Sequence, residues 1–155
     1  MLEHSGLRFV LGYEQALGYL VTNRPLDKDG ITAAVLMAEV AAVAAAEGVT
    51  LQDRLDALSA VFGHHLIADA SVHMTPEEGR AAVADLRAEP PPEVGGRQVT
   101  HAQWYEEAGL LRLQLGDALR LQIRPSGTEP KVKLYGEGVD VDPAPFVAAL
   151  ATLLQ

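Results

Sequence analysis

Between residues 110 and 124 two runs alternate apolar and polar side chains in strict period two. Leu111, Leu113 and Leu115 alternate with Arg112 and Gln114; Leu119, Leu121 and Ile123 alternate with Arg120, Gln122 and Arg124. Successive side chains on a strand point to opposite faces, so each run has one dry face and one wet face. Gly116-Asp117 between them reads as a hairpin turn. A segment so patterned folds into an antiparallel sheet that must cover its dry face with something else. Two more strands are expected at 98–106 and 131–137.

The covering layer is also readable. Thr75-Pro76-Glu77-Glu78 places Thr at an N-cap, Pro at the first helical position and Glu at the third. That helix is expected to run to Ala88, where Pro90-Pro91-Pro92 stops it. Asp142-Pro143 opens a last helix through Val147, Leu150 and Leu153. Residues 75–155 therefore predict an α+β domain: a four-stranded antiparallel sheet with flanking helices on its apolar face.

Residues 1–74 read differently. A short strand is expected over 7–11, followed by Gly12-Tyr13-Glu14-Gln15-Ala16-Leu17-Gly18-Tyr19. Asp29 caps a long Ala-rich helix over 31–47 that ends at Gly48. Ala33, Val35, Leu36, Met37, Val40 and Val43 make it apolar nearly all round, which predicts burial against a sheet or a second domain. Thr50 and Asp53 form a capping pair for a second helix over 51–62, closed by Gly63. Residues 64–74 look extended and are expected to link the two halves, with a hinge near His64–Thr75. These N-terminal residues lack the strands for a sheet of their own and resemble the helical tail of an α/β domain.

Charge and composition remove several function classes. The formal net charge of −9 argues against general nucleic-acid binding, which runs on Lys and Arg neutralising phosphates. Zero Cys excludes disulfides and thiolate chemistry, and fits a cytoplasmic protein. No apolar run approaches the roughly 20 residues that span a bilayer, and the first residues show no secretory pattern. His64, His65 and His73 do not make a metal site by spacing, because no His pair sits at i, i+4 on a helix with a third ligand. Trp104 and Tyr105 read as packing residues. Charge is uneven, however: residues 110–135 carry Arg112, Arg120, Arg124, Lys131 and Lys133 against Asp117 and Glu129. A local basic patch in an acidic chain suits a small anionic ligand, and equally a solvated strand face.

The patch contains Arg124-Pro125-Ser126-Gly127-Thr128-Glu129-Pro130. Arg124 offers a planar fork for bidentate contact with a phosphate. Ser126 and Thr128 offer hydroxyls. Gly127 permits φ > 0, so that consecutive N–H groups could form an anion-binding concavity. By composition alone the same residues read as an ordinary turn. Glu14, on a Gly-flanked loop, can accept from two vicinal hydroxyls or can be a surface residue in a turn.

Together, Gly-Tyr-Glu-Gln-Ala-Leu-Gly-Tyr, then Asp-Lys-Asp-Gly before an Ala-rich helix, then Arg-Pro-Ser-Gly-Thr-Glu-Pro-Lys resemble the α-D-phosphohexomutases, the phosphoglucomutases and phosphomannomutases. The resemblance covers the whole chain but only the C-terminal part of such an enzyme. It implies that 1–74 is the end of the third, sugar-binding domain plus a linker, and that 75–155 is the fourth, phosphate-binding domain with its TBP-like fold. It implies that Glu14 contacts sugar hydroxyls. It also implies that Arg124, Ser126, Gly127 and Thr128, with Lys131 adding charge, hold the substrate phosphate that is not transferred. The family often has Ser two positions after the Glu; Ala16 stands there.

The resemblance further implies hexose phosphate as ligand and the N-terminal domains of the same enzyme as partner. For the full enzyme it implies Mg2+ and glucose 1,6-bisphosphate. No catalytic residue and no metal ligand is assigned here, because Ser5, Ser59, Ser71 and Ser126 lie outside the family's nucleophile context and no Asp-x-Asp-x-Asp-Arg occurs. The chain is expected to be inactive alone. A free-standing non-catalytic phosphosugar-binding or regulatory module is the alternative.

Overall fold

A computed structural model of the chain describes residues 8–14, 17–23 and 26–154. It divides into two compact units, Met1–Leu58 and Ser59–Gln155.

In the N-terminal unit, β1 (Gly12–Glu14) and β2 (Gly18–Leu20) form an antiparallel hairpin that pairs Gly12 with Leu20 and Glu14 with Gly18. This hairpin replaces the strand expected over 7–11, whose described residues 8–11 lie outside any element. Helix α1 (Gly30–Ala46) begins as expected: the Asp29 carboxylate accepts from the Ile31 N–H. It ends in a Schellman arrangement, with Gly48 N–H donating to Ala45 O and Val49 N–H to Ala44 O. Gly48 has φ +75°, which a residue with a Cβ rarely adopts. Helix α2 (Leu51–Phe62) opens on the Thr50–Asp53 capping pair, in which Asp53 N–H donates to the Thr50 hydroxyl oxygen.

The expected burial of α1 is not met. Ile31, Val35, Leu36, Met37, Val40 and Val43 are all exposed, and Ala44 is the one buried residue described in this unit. Two three-residue strands offer too little apolar surface to cover a 17-residue helix that is apolar on every side.

The C-terminal unit is built on a five-stranded antiparallel sheet in the order β3-β9-β8-β7-β6. Its strands are β3 (His65–His73), β6 (His101–Tyr105), β7 (Leu110–Gln114), β8 (Leu119–Pro125) and β9 (Lys131–Val139); β4 (Glu93–Val94) and β5 (Arg97–Gln98) form a separate hairpin. The sheet therefore has one strand more than the four expected. The extra strand is the segment read as a linker: β3 pairs residue by residue with β9, from His65 opposite Val139 to His73 opposite Lys131. A hinge cannot sit inside β3 without breaking that ladder. The strand expected over 98–106 divides into β5 and β6, because Val99 N–H turns to Pro92 O and Thr100 N–H to Gln114 O.

Leu111, Leu113, Leu121, Ile123, Val132 and Leu134 fill the dry face. Helices α3 (Pro76–Ala88) and α4 (Ala144–Thr152) cover it. Their approach is close enough to demand glycine: a Cβ on Gly136 would lie 2.6 Å from Val147 Cγ2, and one on Gly79 would lie 3.0 Å from Val132 Cγ2. Helix α3 opens on the full capping box foreseen at Thr75 and Glu78. Among the described residues no single helix is long and apolar enough to cross a membrane.

Candidate phosphate loop and sugar loop

The wet face of the sheet carries the chemistry. Residues paired across strands share a face, so Arg124 stands opposite Lys133, Lys133 opposite Ser71, and Lys131 opposite His73. Alternation along β8 and β9 thus brings Arg124, Lys131, Lys133 and His73 to one end of one face. The loop 126–130 joins β8 to β9 at that end and is closed by Ser126 N–H donating to Lys131 O.

Within the loop the Ser126 hydroxyl oxygen accepts the N–H of Thr128 at 3.4 Å and of Glu129 at 3.2 Å. This is a Ser turn, in which a side-chain oxygen takes local backbone donors. Two consequences follow. The Thr128 and Glu129 N–H groups turn inward, and Gly127 is absent from the positive-φ residues, so the expected backbone concavity is not formed. The loop's outward donors are side chains instead. With its oxygen already accepting twice, Ser126 keeps its single O–H to donate. Gly127 is not required by crowding either, because a Cβ there would meet nothing within 4 Å.

Arg124 is exposed, and among the described residues its guanidinium takes no ion pair or hydrogen bond. Lys131 is half-buried and lies 2.9 Å from Glu129 Oε1, while Lys133 lies 4.0 Å from Glu129 Oε2. The Lys131 hydrogen bond holds the Glu129 carboxyl below the usual carboxylate range. Desolvation opposes this, and the charges of Lys131, Lys133 and His73 add to it. Glu129 was read from sequence only as a charge against the patch; its acidic type within three residues of two lysines was the available signal.

Glu14 closes β1. Its carboxylate lies 3.2 Å from Lys28 Nζ, and both side chains are about half exposed. Lys28 lies across the hairpin: a Cβ on Gly18 would meet Lys28 Cδ at 2.9 Å and Glu14 Oε2 at 3.1 Å. Asp29 N–H donates to Tyr19 O, which ties the Asp-Lys-Asp-Gly segment to β2. Lys28 is thus part of the Glu14 site, a role its sequence position did not reveal. Ala16, where the missing hydroxyl was noted, lies outside the described residues.

The histidines do not converge. His65 and His73 occupy opposite ends of β3, and His65 Nδ1 lies 3.8 Å from Glu137. Among the described residues no group of three or more His, Cys, Asp or Glu could hold a metal ion. The described residues therefore offer no cluster that fits a magnesium ion. Trp104 packs on the core, lies under the Arg87 guanidinium at 4.7 Å and donates from Nε1 to Glu106. Its ring is thereby occupied.

The two motifs, each on its own compact unit, define a class: the α-D-phosphohexomutases. The family model for the phosphoglucomutase/phosphomannomutase C-terminal domain matches residues 32–144, and that for the alpha/beta/alpha domain III matches residues 1–62. A probable phosphomannomutase of Haemophilus influenzae is 37% identical over 146 residues, covering 90% of this chain and 30% of that protein. A phosphoglucomutase of Staphylococcus epidermidis is 28% identical over 149 residues, 82% of this chain and 27% of its own length. A phosphopentomutase of Mus musculus is 26% identical over 162 residues, 88% of this chain and 26% of its own length. The chain belongs to the phosphoglucomutase/phosphomannomutase family and corresponds to the C-terminal portion of a phosphohexomutase. It spans less than a third of the length of these relatives.

Proposed function

We propose that this chain supplies the sugar-phosphate grip of a phosphoglucomutase or phosphomannomutase that interconverts hexose 1-phosphate and hexose 6-phosphate. Arg124, Ser126, Gly127, Thr128 and Lys131 hold the phosphate that is not transferred, and Glu14 orients the sugar with Lys28 fixing its carboxylate. The observation that carries the reading is the loop's donor set. A free guanidinium, a Ser hydroxyl left only to donate, and a lysine stand around a glycine with open space above it. Neither φ nor crowding calls for that glycine, and its missing side chain leaves room for a ligand to approach closely.

The grip does no bond-breaking itself. Arg124 neutralises and orients a phosphate by paired N–H···O contacts, Ser126 and Thr128 donate to its remaining oxygens, and Lys131 adds charge. Phosphoryl exchange belongs to the nucleophile and the magnesium loop of the N-terminal domains, for which this chain has no counterpart. Those domains and the rest of the third domain are the partners proposed here. Their apolar surface would cover Ile31, Val35, Met37, Val40 and Val43 on α1.

Titration of the chain with glucose 1,6-bisphosphate tests the site. Losing a charge-assisted contact costs about 1.5–3 kcal/mol, so Arg124→Ala should weaken binding by about ten- to a hundredfold. Equal affinity for the two proteins would refute the site. Turnover of glucose 1-phosphate by the purified chain, free of host mutase, would refute its non-catalytic role.

A further inference from the structure

One charged group in the loop has the wrong sign for an anion site. Glu129 lies 2.9 Å from Lys131 and 4.0 Å from Lys133, two of the three permanent cations at this end of the sheet. Its backbone is held in place. Its N–H is held by Ser126 and its carbonyl accepts the Lys131 N–H at 2.8 Å. Pro130 follows it, and the Pro130 carbonyl accepts from Met74 N–H just past the end of β3. An anion that is to use Lys131 and Lys133 competes with a carboxylate already in position.

Building on the phosphate reading of the loop, we propose that Glu129 is a specificity-determining competitor that lets the loop accept a phosphate dianion and turn away singly charged anions. A carboxylate from solution offers the lysines the same chemistry as Glu129. Glu129 is tethered, at an effective concentration on the order of millimolar or more, so the exchange gains nothing. A phosphate monoester brings roughly −1.5 to −2 charges and three acceptor oxygens. It can displace Glu129 and still engage Arg124, Ser126 and Thr128, which Glu129 leaves unused. Glu129 therefore lowers the affinity for every anion that uses the lysines, and an anion with no further contacts to make is left without measurable binding there. It is neither a phosphate ligand nor a catalytic residue.

The test is a titration of the 155-residue chain and its Glu129→Gln variant with inorganic phosphate and, separately, with acetate, following the backbone amides of the loop by NMR. Gln keeps the size and the acceptor facing Lys131 and removes only the charge. The variant should bind phosphate about two- to fivefold more tightly and should bind acetate at the lysines, which the parent chain should not. Phosphate binding by the variant where the parent shows none overturns the proposal, because the parent loop has to accept the dianion. An unchanged or weaker phosphate affinity, or continued exclusion of acetate, overturns it and makes Glu129 a support for the lysines. Arg124→Ala separates this from failure of the underlying reading. If that variant binds phosphate as the parent does, the loop is not the phosphate site and both ideas fall.

Discussion

The two compact units use their apolar residues to opposite effect. In the C-terminal unit the apolar residues alternate, so helices on one side bury them: Leu113, Leu121, Ile123, Leu134 and Leu150 are fully enclosed. In the N-terminal unit the apolar residues of α1 are spread round the helix, and Val35, Met37, Val40 and Val43 stay exposed. Hydrophobic stabilisation scales with area removed from water, so hydrophobicity by itself does not stabilise a unit. The pattern must direct side chains toward surface that the same unit supplies. The C-terminal unit closes its own core, whereas the N-terminal unit leaves the apolar residues of α1 uncovered.

The largest expected effects test that contrast directly. Leu121→Ala should destabilise the C-terminal unit by about 2–5 kcal/mol, read by urea unfolding followed at Trp104, the chain's one tryptophan. Val40→Ala in α1 should shift helix unfolding by no more than about 0.5 kcal/mol. Comparable losses from the two changes would end the comparison. Next, Gly136→Val should cost about 1–3 kcal/mol, because its side chain must enter space held by Val147 and Pro143. A neutral result in the same melt would mean that α4 is free to lift from the sheet.

A smaller effect compares the two helix starts. Thr75→Ala should cost about 1 kcal/mol by loss of the cap on α3, measured by thermal denaturation. The capping carboxyls also set a pH dependence. The Thr50 hydroxyl bond holds the Asp53 carboxyl below its ordinary range, and the Thr75 hydroxyl bond does the same for Glu78. A carboxyl with a depressed folded pKa stabilises above its unfolded pKa, and that stabilisation is lost as pH falls through the folded value. Circular dichroism should therefore show both helices weakening below about pH 4. Thr50→Val and Thr75→Val should each flatten the profile for their own helix. Smallest of all, Lys28→Ala should change stability by less than about 1 kcal/mol; its larger consequence is expected in sugar-phosphate affinity, through a freed Glu14.

Much of this was legible in the chain. Caps are local: Asp29, Thr50 and Thr75 bond to groups two or three residues away, so their effect is written in adjacent positions. The alternation of β7 and β8 is equally local. The fifth strand was not legible. His65 to His73 has the small Ala68 and Ala70 on one face and Ile67 among His65, Asp69, Ser71 and His73 on the other, a weak strand pattern, and it becomes a strand by pairing with β9 some 60 residues later in the chain. The loop's chemistry was legible and its geometry was not. Arg124, Ser126 and Thr128 supply the donor types that a phosphate would need, but the capture of two N–H groups by Ser126 had to be seen.

By itself the sequence determined the helix starts and stops, the two-faced strands, the family and the residue types of both loops, because these depend on spacing along the backbone and on side-chain chemistry. Tertiary structure alone decided that a presumed linker completes the sheet, that Gly136 and Gly79 admit the covering helices, that Lys28 lies on Glu14, and that Glu129 holds the lysines of the phosphate loop. Each of these is a meeting of groups distant in sequence or a choice among turn conformations. Spacing leaves both open, and three-dimensional packing settles them.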